Sequence, residues 1–370
     1  MMSSVIRRCI AWLAPSFLVF AIISPWTYSN MCDPPASIGL RTNHKALGLT
    51  NGLIFVVGGE NGSLQEQSTW LFDPLTSHWM EAGCMKQGRW GHEVILTSNG
   101  NVIAIGGTAN FATLKTNEIW TYETKKWTPF VSLPAPRSQH TATLLSDGRI
   151  VVIGGENGKK ACKSIFCYEP KMNKWCKWQA MEKPRGSHRA ILLLNGQILV
   201  IGGGAKGALW IETELVDPST GKTRKWNSLN EARIAPAATL LQDGRVLVSG
   251  GWTDGYKELR SCEIYDPHSG KWTYTAPMCY PRQGHTATLL KDGKILVAGG
   301  VYWPKEGSKV VEIFDPKTGT WEKHTALLTG HLGSTTTSLP DGRLIILGGI
   351  QKEVDPRLGC EFVKIPLKEQ

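Results

Sequence analysis

A segment of 48 or 49 residues recurs seven times along this chain of 370 residues. Residues 140–155, HTATLLSDGRIVVIGG, return almost unchanged at 285–300 as HTATLLKDGKILVAGG. Every copy ends an apolar run with a Gly-Gly pair, and the first glycines of the pairs are Gly58, Gly106, Gly154, Gly202, Gly250, Gly299 and Gly348. Repetition at this period is typical of architectures in which identical small units bury their apolar faces against their neighbours.

Each Gly-Gly pair closes a predicted β-hairpin. Six residues before the pair lies the glycine of an Asn-Gly or Asp-Gly dipeptide, with apolar runs on both sides, as at Asp147 and Gly148. We expect a type I′ turn there, which needs positive φ at both central residues. The apolar character of both runs predicts strands that are buried on both faces.

A second hairpin is predicted after each of the first six Gly-Gly pairs. In four copies an aromatic residue before an Asp-Pro or Glu-Pro turn lies seven residues ahead of a tryptophan, so that the two rings face or flank each other across the strands. These pairs are Phe72 and Trp79, Tyr168 and Trp175, Tyr265 and Trp272, and Phe314 and Trp321. Four strands per copy predict an all-β fold, a seven-bladed β-propeller.

The Gly-Gly pair, the aromatic-Asp-Pro segment and the later tryptophan resemble kelch repeats, including those of the galactose-oxidase type of propeller. The resemblance covers about residues 26 to 365. It implies a kelch-type propeller but says little about function, because one fold carries many unrelated sites.

The last blade is predicted to be composite. Residues 331–366 offer three strands, and residues 25–31 supply the outer strand, because Trp26-Thr27-Tyr28 echoes Trp272-Thr273-Tyr274. This closure leaves no unpaired strand where the ends of the ring meet, and it resembles the way in which kelch propellers close. The propeller domain is therefore predicted to span residues 25–367.

The N-terminus differs from the repeats. Arg7 and Arg8 precede residues 9–23, which carry no charge, and small or polar residues follow. Residues 1–24 are therefore predicted to be a signal peptide or a signal-anchor. We expect a secreted or extracytoplasmic protein; the alternative is a membrane tether through residues 9–24.

The chain has nine cysteines, no CxxC motif and no Cys/His cluster at zinc spacing. Cys167 and Cys176 should lie opposite each other across the second hairpin of blade 3. They form either a disulfide or two free, partly buried thiols. Cys32 and Cys360 both belong to the predicted blade 7, and a bond between them would close a loop of most of the chain.

Strand direction places the segments after each Gly-Gly pair on the same side of the ring as the segments leading into a repeated arginine. We call this side the loop face and expect binding residues there. The arginines are Arg41, Arg89, Arg137, Arg185, Arg233 and Arg282, with His331 in the last copy. Two interpretations are open: each arginine bridges loops of the scaffold, or together they form a ring that binds a carboxylate or phosphate. In the second case Glu60 and Glu156 would neutralise part of the ring.

Aromatic residues that break the repeat form a second candidate set on the loop face. They are Trp90, Trp252, Tyr256, Tyr302 and Trp303. Clustered Trp and Tyr suit peptide or carbohydrate recognition; the alternative is packing between long loops.

The sequence favours a binding module for a protein, a peptide or an acidic glycan, formed by a monomeric propeller. A basic sector over residues 157–189 suits polyanions or a solvated surface, and it lacks the motifs of nucleic-acid readers. The alternative is a sugar-active enzyme similar to the kelch-type sialic-acid epimerases. Copper radical chemistry is disfavoured because the chain contains no Tyr-His dipeptide, and no cofactor or metal is expected.

Overall fold

A computed structural model describes residues 41–349, except 63, 159, 303–305, 328–329, 332 and 340, together with residues 360–364. All of them belong to one compact unit, Met31–Gln370. They form seven small antiparallel sheets, in each of which the strands follow one another in chain order from the inside to the outside. The innermost strands contact each other in sequence, and that of blade 7 contacts that of blade 1. The seven-bladed, all-β propeller predicted from the repeat is thus confirmed.

The innermost strands surround the central channel and are half-buried. They are Lys45–Gly48, Glu93–Leu96, Thr141–Leu144, Arg189–Leu192, Ala237–Leu240, Thr286–Leu289 and Thr335–Ser338. The second strands are buried at every position and form the core. They are Ile54–Val57, Val102–Ile105, Ile150–Ile153, Ile198–Ile201, Val246–Ser249, Ile295–Ala298 and Leu344–Leu347. Of the two strands of the first hairpin, only the second is buried on both faces as predicted, because the innermost strand borders the channel.

The third and outermost strands form the second hairpin of each blade. The third strands are Ser68–Asp73, Asn117–Thr121, Ile165–Glu169, Thr213–Asp217, Cys262–Asp266, Val310–Asp315 and Cys360–Val363. The outermost strands of blades 1 to 6 are His78–Cys84, Lys126–Phe130, Lys174–Lys177, Lys222–Trp226, Lys271–Thr275 and Thr320–Ala326. The only helices among the described residues are two single 3₁₀ turns, Pro170–Met172 and Asp254–Tyr256.

Short two-residue strands pair after the Gly-Gly segments of blades 1 to 6. These small hairpins are Glu60–Asn61 with Leu64–Gln65, Thr108–Ala109 with Ala112–Thr113, Glu156–Asn157 with Lys160–Ala161, Gly204–Ala205 with Ala208–Leu209, Trp252–Thr253 with Lys257–Glu258, and Val301–Tyr302 with Glu306–Gly307. They project from the ring on the side of the predicted loop face.

The Asp-Gly turns have a different geometry from the predicted type I′. In blade 3 the Gly148 N–H donates to the Leu145 carbonyl, and the Leu145 N–H donates to the Arg149 carbonyl. Gly148 has a φ of +84°, whereas Asp147 is not among the residues with positive φ. The turn is thus a three-residue loop in which the glycine alone is left-handed, while the Asp147 carboxylate accepts a hydrogen bond from the Arg149 N–H. The hairpins form as predicted, because this loop also needs the glycine.

The four predicted aromatic pairs are confirmed. Each aromatic residue lies directly opposite its tryptophan on the neighbouring strand. The ring centroids are 4.8 to 5.5 Å apart and the rings are tilted, which is a favourable arrangement for aromatic side chains.

Blade 7 packs against blade 1 and closes the ring. Phe362 contacts Phe72 with ring centroids 6.0 Å apart, within one buried cluster that includes Ile54 and Leu347. Three strands of blade 7 are present as predicted. The fourth strand, predicted over residues 25–31, lies outside the described residues, as does the predicted signal segment. Within the described part of the chain, no helix is long and apolar enough to cross a membrane.

The predicted opposition of Cys167 and Cys176 is confirmed, because the two residues are direct partners across the strands. Both thiols are free, so of the two alternatives the structure has the free thiols and not the disulfide. Cys167 is fully buried in the core, and its Sγ lies 3.5 Å from Oε1 of Glu169. Burial raises the pKa of the Cys167 thiol to about 12, which disfavours the thiolate needed to form a disulfide.

Candidate functional site

The loop face contains the two kinds of segment that strand direction predicted there. In each of blades 1 to 6 the residue after the repeated arginine forms a bridge to the first residue after the Gly-Gly pair. The bridged pairs are Thr42 and Glu60, Trp90 and Thr108, Ser138 and Glu156, Gly186 and Gly204, Ile234 and Trp252, and Gln283 and Val301. Both kinds of segment therefore lie together around the end of the channel.

The six repeated arginines are buried inside this face. Each has 0% of its surface exposed, and each donates from Nη1 to the carbonyl of the first glycine of its own Gly-Gly pair. A guanidinium without exposed surface is not available to a ligand. Of the two interpretations, the burial of Arg41, Arg89, Arg137, Arg185, Arg233 and Arg282 favours the scaffold over the ligand-binding ring.

Glutamates neutralise five of these six arginines, and all of the glutamates except the partly exposed Glu66 are buried. The pairs are Arg41 with Glu66 (3.2 Å), Arg89 with Glu118 (2.5 Å), Arg185 with Glu214 (3.0 Å), Arg233 with Glu263 (2.8 Å) and Arg282 with Glu312 (2.5 Å). Sequence reasoning proposed Glu60 and Glu156 for this role and missed the true partners. The sequence does contain a pattern that could have identified these partners, because Glu118, Glu214 and Glu263 each follow their arginine by 29 or 30 residues.

The glutamates also hold the connections between blades. The Glu214 carboxylate accepts hydrogen bonds from the backbone N–H groups of Glu182 and Lys183, 2.8 and 3.3 Å away, where the chain passes from blade 3 to blade 4. Burial lowers the pKa of Arg185, and Glu214 opposes that shift. Glu118, Glu263 and Glu312 accept backbone hydrogen bonds in the same way, so four of the five Arg-Glu pairs tie the hairpin of one blade to the loop that leads into it.

Blade 3 departs from this pattern. Phe166 occupies the position of the glutamate, and the Arg137 guanidinium lies 4.3 Å from the centroid of its ring. Arg137 donates to the carbonyl and the hydroxyl of Ser164. Burial lowers the pKa of Arg137 to about 10. A cation–π contact and neutral hydrogen bonds here replace the carboxylate.

The repeated histidines pack between neighbouring blades. A Cβ added at Gly154 would lie 2.8 Å from Cε1 of His188 in the next blade, so the glycine is required by the close approach of the ring. Thr141 and His188 form a hydrogen bond of 3.1 Å across the same boundary. Burial lowers the pKa of His44 and of His188 to about 3. These side chains are structural and remain neutral at physiological pH.

The aromatic residues that break the repeat differ in how much of their position the structure describes. Trp90 and Trp252 are half-buried and lie on the loop face through their bridges. Tyr256 ends a 3₁₀ turn and Tyr302 belongs to a short strand, both on this face, but their side chains are not described. Trp303 lies outside the described residues. Of the two tryptophans in this set whose side chains are described, Trp252 lines a cavity.

That cavity is a cleft of about 410 Å³ across the loop face of blades 3, 4 and 5. Its floor is rich in glycine, and its charged residues are Glu156, Lys206 and Asp254. It is lined by Glu156, Ala161, Gly186, Ser187, Gly204, Ala205, Lys206, Gly207, Ala208, Leu209, Ile234, Trp252, Asp254 and Gly255. The cleft exists because glycine and alanine replace larger side chains in the small hairpin of blade 4.

Glu156 is the distinctive charged group of the cleft. It is half-buried, and a Cβ added at Gly186 would lie 2.6 Å from its Oε1. Burial raises the pKa of Glu156. Its carboxylate has no hydrogen-bond or ion-pair partner among the described residues, whereas the equivalent Glu60 accepts a hydrogen bond of 2.8 Å from Asn43. A desolvated carboxylate without a partner is expected to attract a cation or a strong hydrogen-bond donor.

Within the described ranges, no group of three or more His, Cys, Asp or Glu side chains could hold a metal ion. The repeated histidines lie in separate blades at one register, and their rings are buried between the sheets.

The fold and the internally paired loop face define a kelch-type β-propeller, and sequence comparison specifies the family. Residues 43–239, more than half of the chain, match the KLHDC2/KLHL20/DRC7 Kelch-repeats domain. Residues 233–278 and 283–323 match the Kelch motif. The chain therefore belongs to the kelch-repeat family. The search of curated proteins found no match.

Solved structures show the same fold at low sequence identity. A fungal alcohol oxidase of the AA5 family, solved with copper, is 20% identical with a TM-score of 0.71; the match covers 88% of this chain and 74% of the oxidase. The protein YjhT is 12% identical with a TM-score of 0.61; the match covers 77% of this chain and 98% of YjhT. At this identity the similarity concerns the fold alone.

Proposed function

We propose that this propeller is a binding module whose cleft takes a basic side chain from a partner protein. The observation that carries the proposal is the unpaired, half-buried carboxylate of Glu156 beside Trp252 in the cleft of blades 3 to 5. Kelch propellers generally bind proteins, and the loop face is where this ring displays side chains that differ between blades.

The chemistry of the cleft favours a cation over the carboxylate ligand expected from the arginines. Glu156 and Asp254 carry two negative charges against the single positive charge of Lys206. A lysine or arginine side chain would neutralise Glu156 and could pack its alkyl stem or charged group against the Trp252 ring. The exposed glycine backbone would leave room for the main chain of the partner.

Replacement of Glu156 by Gln is expected to weaken the binding of basic peptides about tenfold or more, because a charge-assisted hydrogen bond is lost. The probes are an array of heptapeptides, each with one Lys, Arg, norleucine or Glu at the centre, followed by calorimetry on the best basic peptide. Glu60→Gln is the matched control: it alters the equivalent position of blade 1, which lies outside the cleft, and should leave affinity unchanged.

Three results would contradict this assignment. They are an array without preference for Lys or Arg, equal affinity of E156Q and the unaltered chain, and the same loss of affinity in E60Q. Selective binding on a glycan array with no peptide binding would replace the protein partner by a carbohydrate.

We further propose that residues 1–24 direct the chain to an extracytoplasmic compartment, where Cys360 bonds Cys32. The supports are the charged and apolar regions of the N-terminus and the fact that Cys360 stands apart from the six free cysteines of the described chain, Cys84, Cys162, Cys167, Cys176, Cys262 and Cys279. Cys360 is fully buried in the cluster that joins blades 7 and 1.

Peptide mapping without reductant on protein from the native host is expected to yield one disulfide-linked peptide that contains Cys32 and Cys360. A disulfide that closes so long a loop stabilises by at most about 5 kcal/mol, so reduction should lower the denaturation midpoint. Recovery of both cysteines as free thiols would refute the bond, and a mature N-terminus at residue 33 or beyond would refute the pairing with Cys32.

A further inference from the structure

The central channel contains an arginine that is distinct from the six buried ones. Arg189 is the first residue of the innermost strand of blade 4. The residues at the same register in the other blades are Lys45, Glu93, Thr141, Ala237, Thr286 and Thr335. Only Lys45, Glu93 and Arg189 in this layer carry a charge. The layer therefore has a net charge of +1.

Arg189 lies on a strand that borders the central channel, and it is half-buried there. The charge of Glu93 in blade 2 favours protonated Arg189, and the charge of Arg189 lowers the pKa of His285 in blade 6. Blades 2, 4 and 6 are not neighbours, and these interactions across the ring agree with the place of Arg189 on the innermost strand. Lys45 in blade 1 likewise lowers the pKa of His140 in blade 3.

No residue in the described part of the chain pairs with the charge of Arg189. The structure gives it neither an ion pair nor a hydrogen bond to any described residue. The nearest carboxylate in the layer, that of Glu93, lies 2.8 Å from Nζ of Lys45 and is engaged by it. Burial lowers the pKa of Arg189. Blade 5 presents Pro236 and Ala237, where blades 1 to 4 and 6 carry a histidine followed by a residue larger than alanine. The side chains on that side of Arg189 are therefore short.

We propose that the channel binds one small anion, a carboxylate or inorganic oxyanion, through the guanidinium of Arg189. A planar guanidinium that lacks a protein partner offers two parallel donors to such a group. The bound anion would neutralise the net positive charge of the Lys45, Glu93 and Arg189 layer. This site is separate from the cleft, and the inference does not depend on the ligand proposed there.

The test uses the full chain and two probes, sodium phosphate and sodium acetate, titrated against sodium chloride at constant ionic strength. Calorimetry and thermal unfolding are the readouts. The unaltered protein is expected to bind one anion saturably, and Arg189→Gln to weaken that binding at least about tenfold. Arg224→Gln, a change of an exposed arginine on the outermost strand of blade 4, is the control and should keep the affinity.

Glu93→Gln provides a second variant with the opposite expected effect. It removes the negative charge of the layer and frees Lys45, so phosphate should bind several times more tightly. If R189Q does not fold, E93Q still tests the proposed anion site. Unchanged or weaker phosphate binding in E93Q overturns the proposal. Absence of saturable binding by the unaltered protein, or retained affinity in R189Q, overturns it as well. Competition by chloride would identify a halide as the occupant.

Discussion

The free energy of unfolding is expected to fall steeply between pH 6.5 and pH 5. Five histidines are fully or almost fully buried at one register of the blades: His44, His92, His140, His188 and His285. Burial lowers the pKa of every one, to about 3 for His44 and His188 and well below the ordinary value for the other three. The adjacent buried arginines lower them further. Each ring is therefore neutral in the folded protein.

The direction of the effect follows from proton binding. In the unfolded chain these histidines titrate near their ordinary pKa of about 6.5, so below that pH the unfolded state binds protons that the folded state excludes. The stability is complete above pH 6.5 and is lost as the pH falls toward the folded pKa. Each histidine removes about 1.4 kcal/mol per pH unit in this window, and five together remove roughly 7 kcal/mol per unit. Since a typical domain has a total stability of about 5–15 kcal/mol, we expect unfolding near pH 5.

Denaturant titrations at half-unit steps from pH 7.5 to pH 5 measure this slope. His188→Ser copies the natural arrangement of blade 7, where Ser334 occupies the position of the histidine. This variant should reduce the pH dependence of the unfolding free energy by about one fifth, because one of the five buried histidines is gone. His268, an exposed histidine of the blade 5 turn, gives the control His268→Ser, which should leave the slope unchanged. A stability that is constant from pH 7 to pH 5 would show that the rings accept protons in the folded state.

Replacement of Glu214 by Ala is expected to destabilise the propeller by about 3–5 kcal/mol, the usual effect of removing one partner from a buried ion pair. The Arg185 guanidinium has 0% of its surface exposed and would lose its carboxylate partner. The backbone N–H groups of Glu182 and Lys183 would lose their acceptor at the same time. Denaturant unfolding at pH 7.5, above the histidine transition, measures the effect.

Two further variants test the cause. Glu123→Ala removes an exposed glutamate from the outer turn of blade 2 and should change stability by less than about 0.5 kcal/mol. Glu214→Phe reproduces blade 3, where Phe166 contacts Arg137, and should recover part of the loss through a cation–π contact. A loss in E214A below about 1 kcal/mol, the scale of a solvent-exposed ion pair, would mean that water reaches Arg185.

Local signals in the sequence were sufficient for the blade architecture. The Asn-Gly and Asp-Gly dipeptides specify hairpins by the conformation of one glycine, and the aromatic residue seven positions before a tryptophan specifies cross-strand pairing. Even the loop face could be deduced, because strand direction alternates at every turn. The type of turn was missed, since type I′ and the three-residue loop both place a glycine at the left-handed position.

The repeated Arg-x-x-His segments show where sequence reasoning stopped. Their regular spacing was equally compatible with a scaffold and with a binding ring. The choice depends on whether groups of the same blade bury and pair the guanidinium, as the Glu214 carboxylate on the third strand does for Arg185 at 3.0 Å. The glutamates are visible in the sequence, but nothing in their local context states which way they point.

The repeat period alone determined that this chain forms seven like sheets in a ring, because turns and cross-strand pairs are formed by residues close in sequence. Only the tertiary structure decided which charges are paired and which are not. Glu60 and Glu156 occupy the same position of the repeat, yet Glu60 has Asn43 as a partner and Glu156 faces a cleft formed by another blade. Pairing and desolvation depend on the groups that neighbouring blades bring within a few ångströms, and that distance is set by the closed ring.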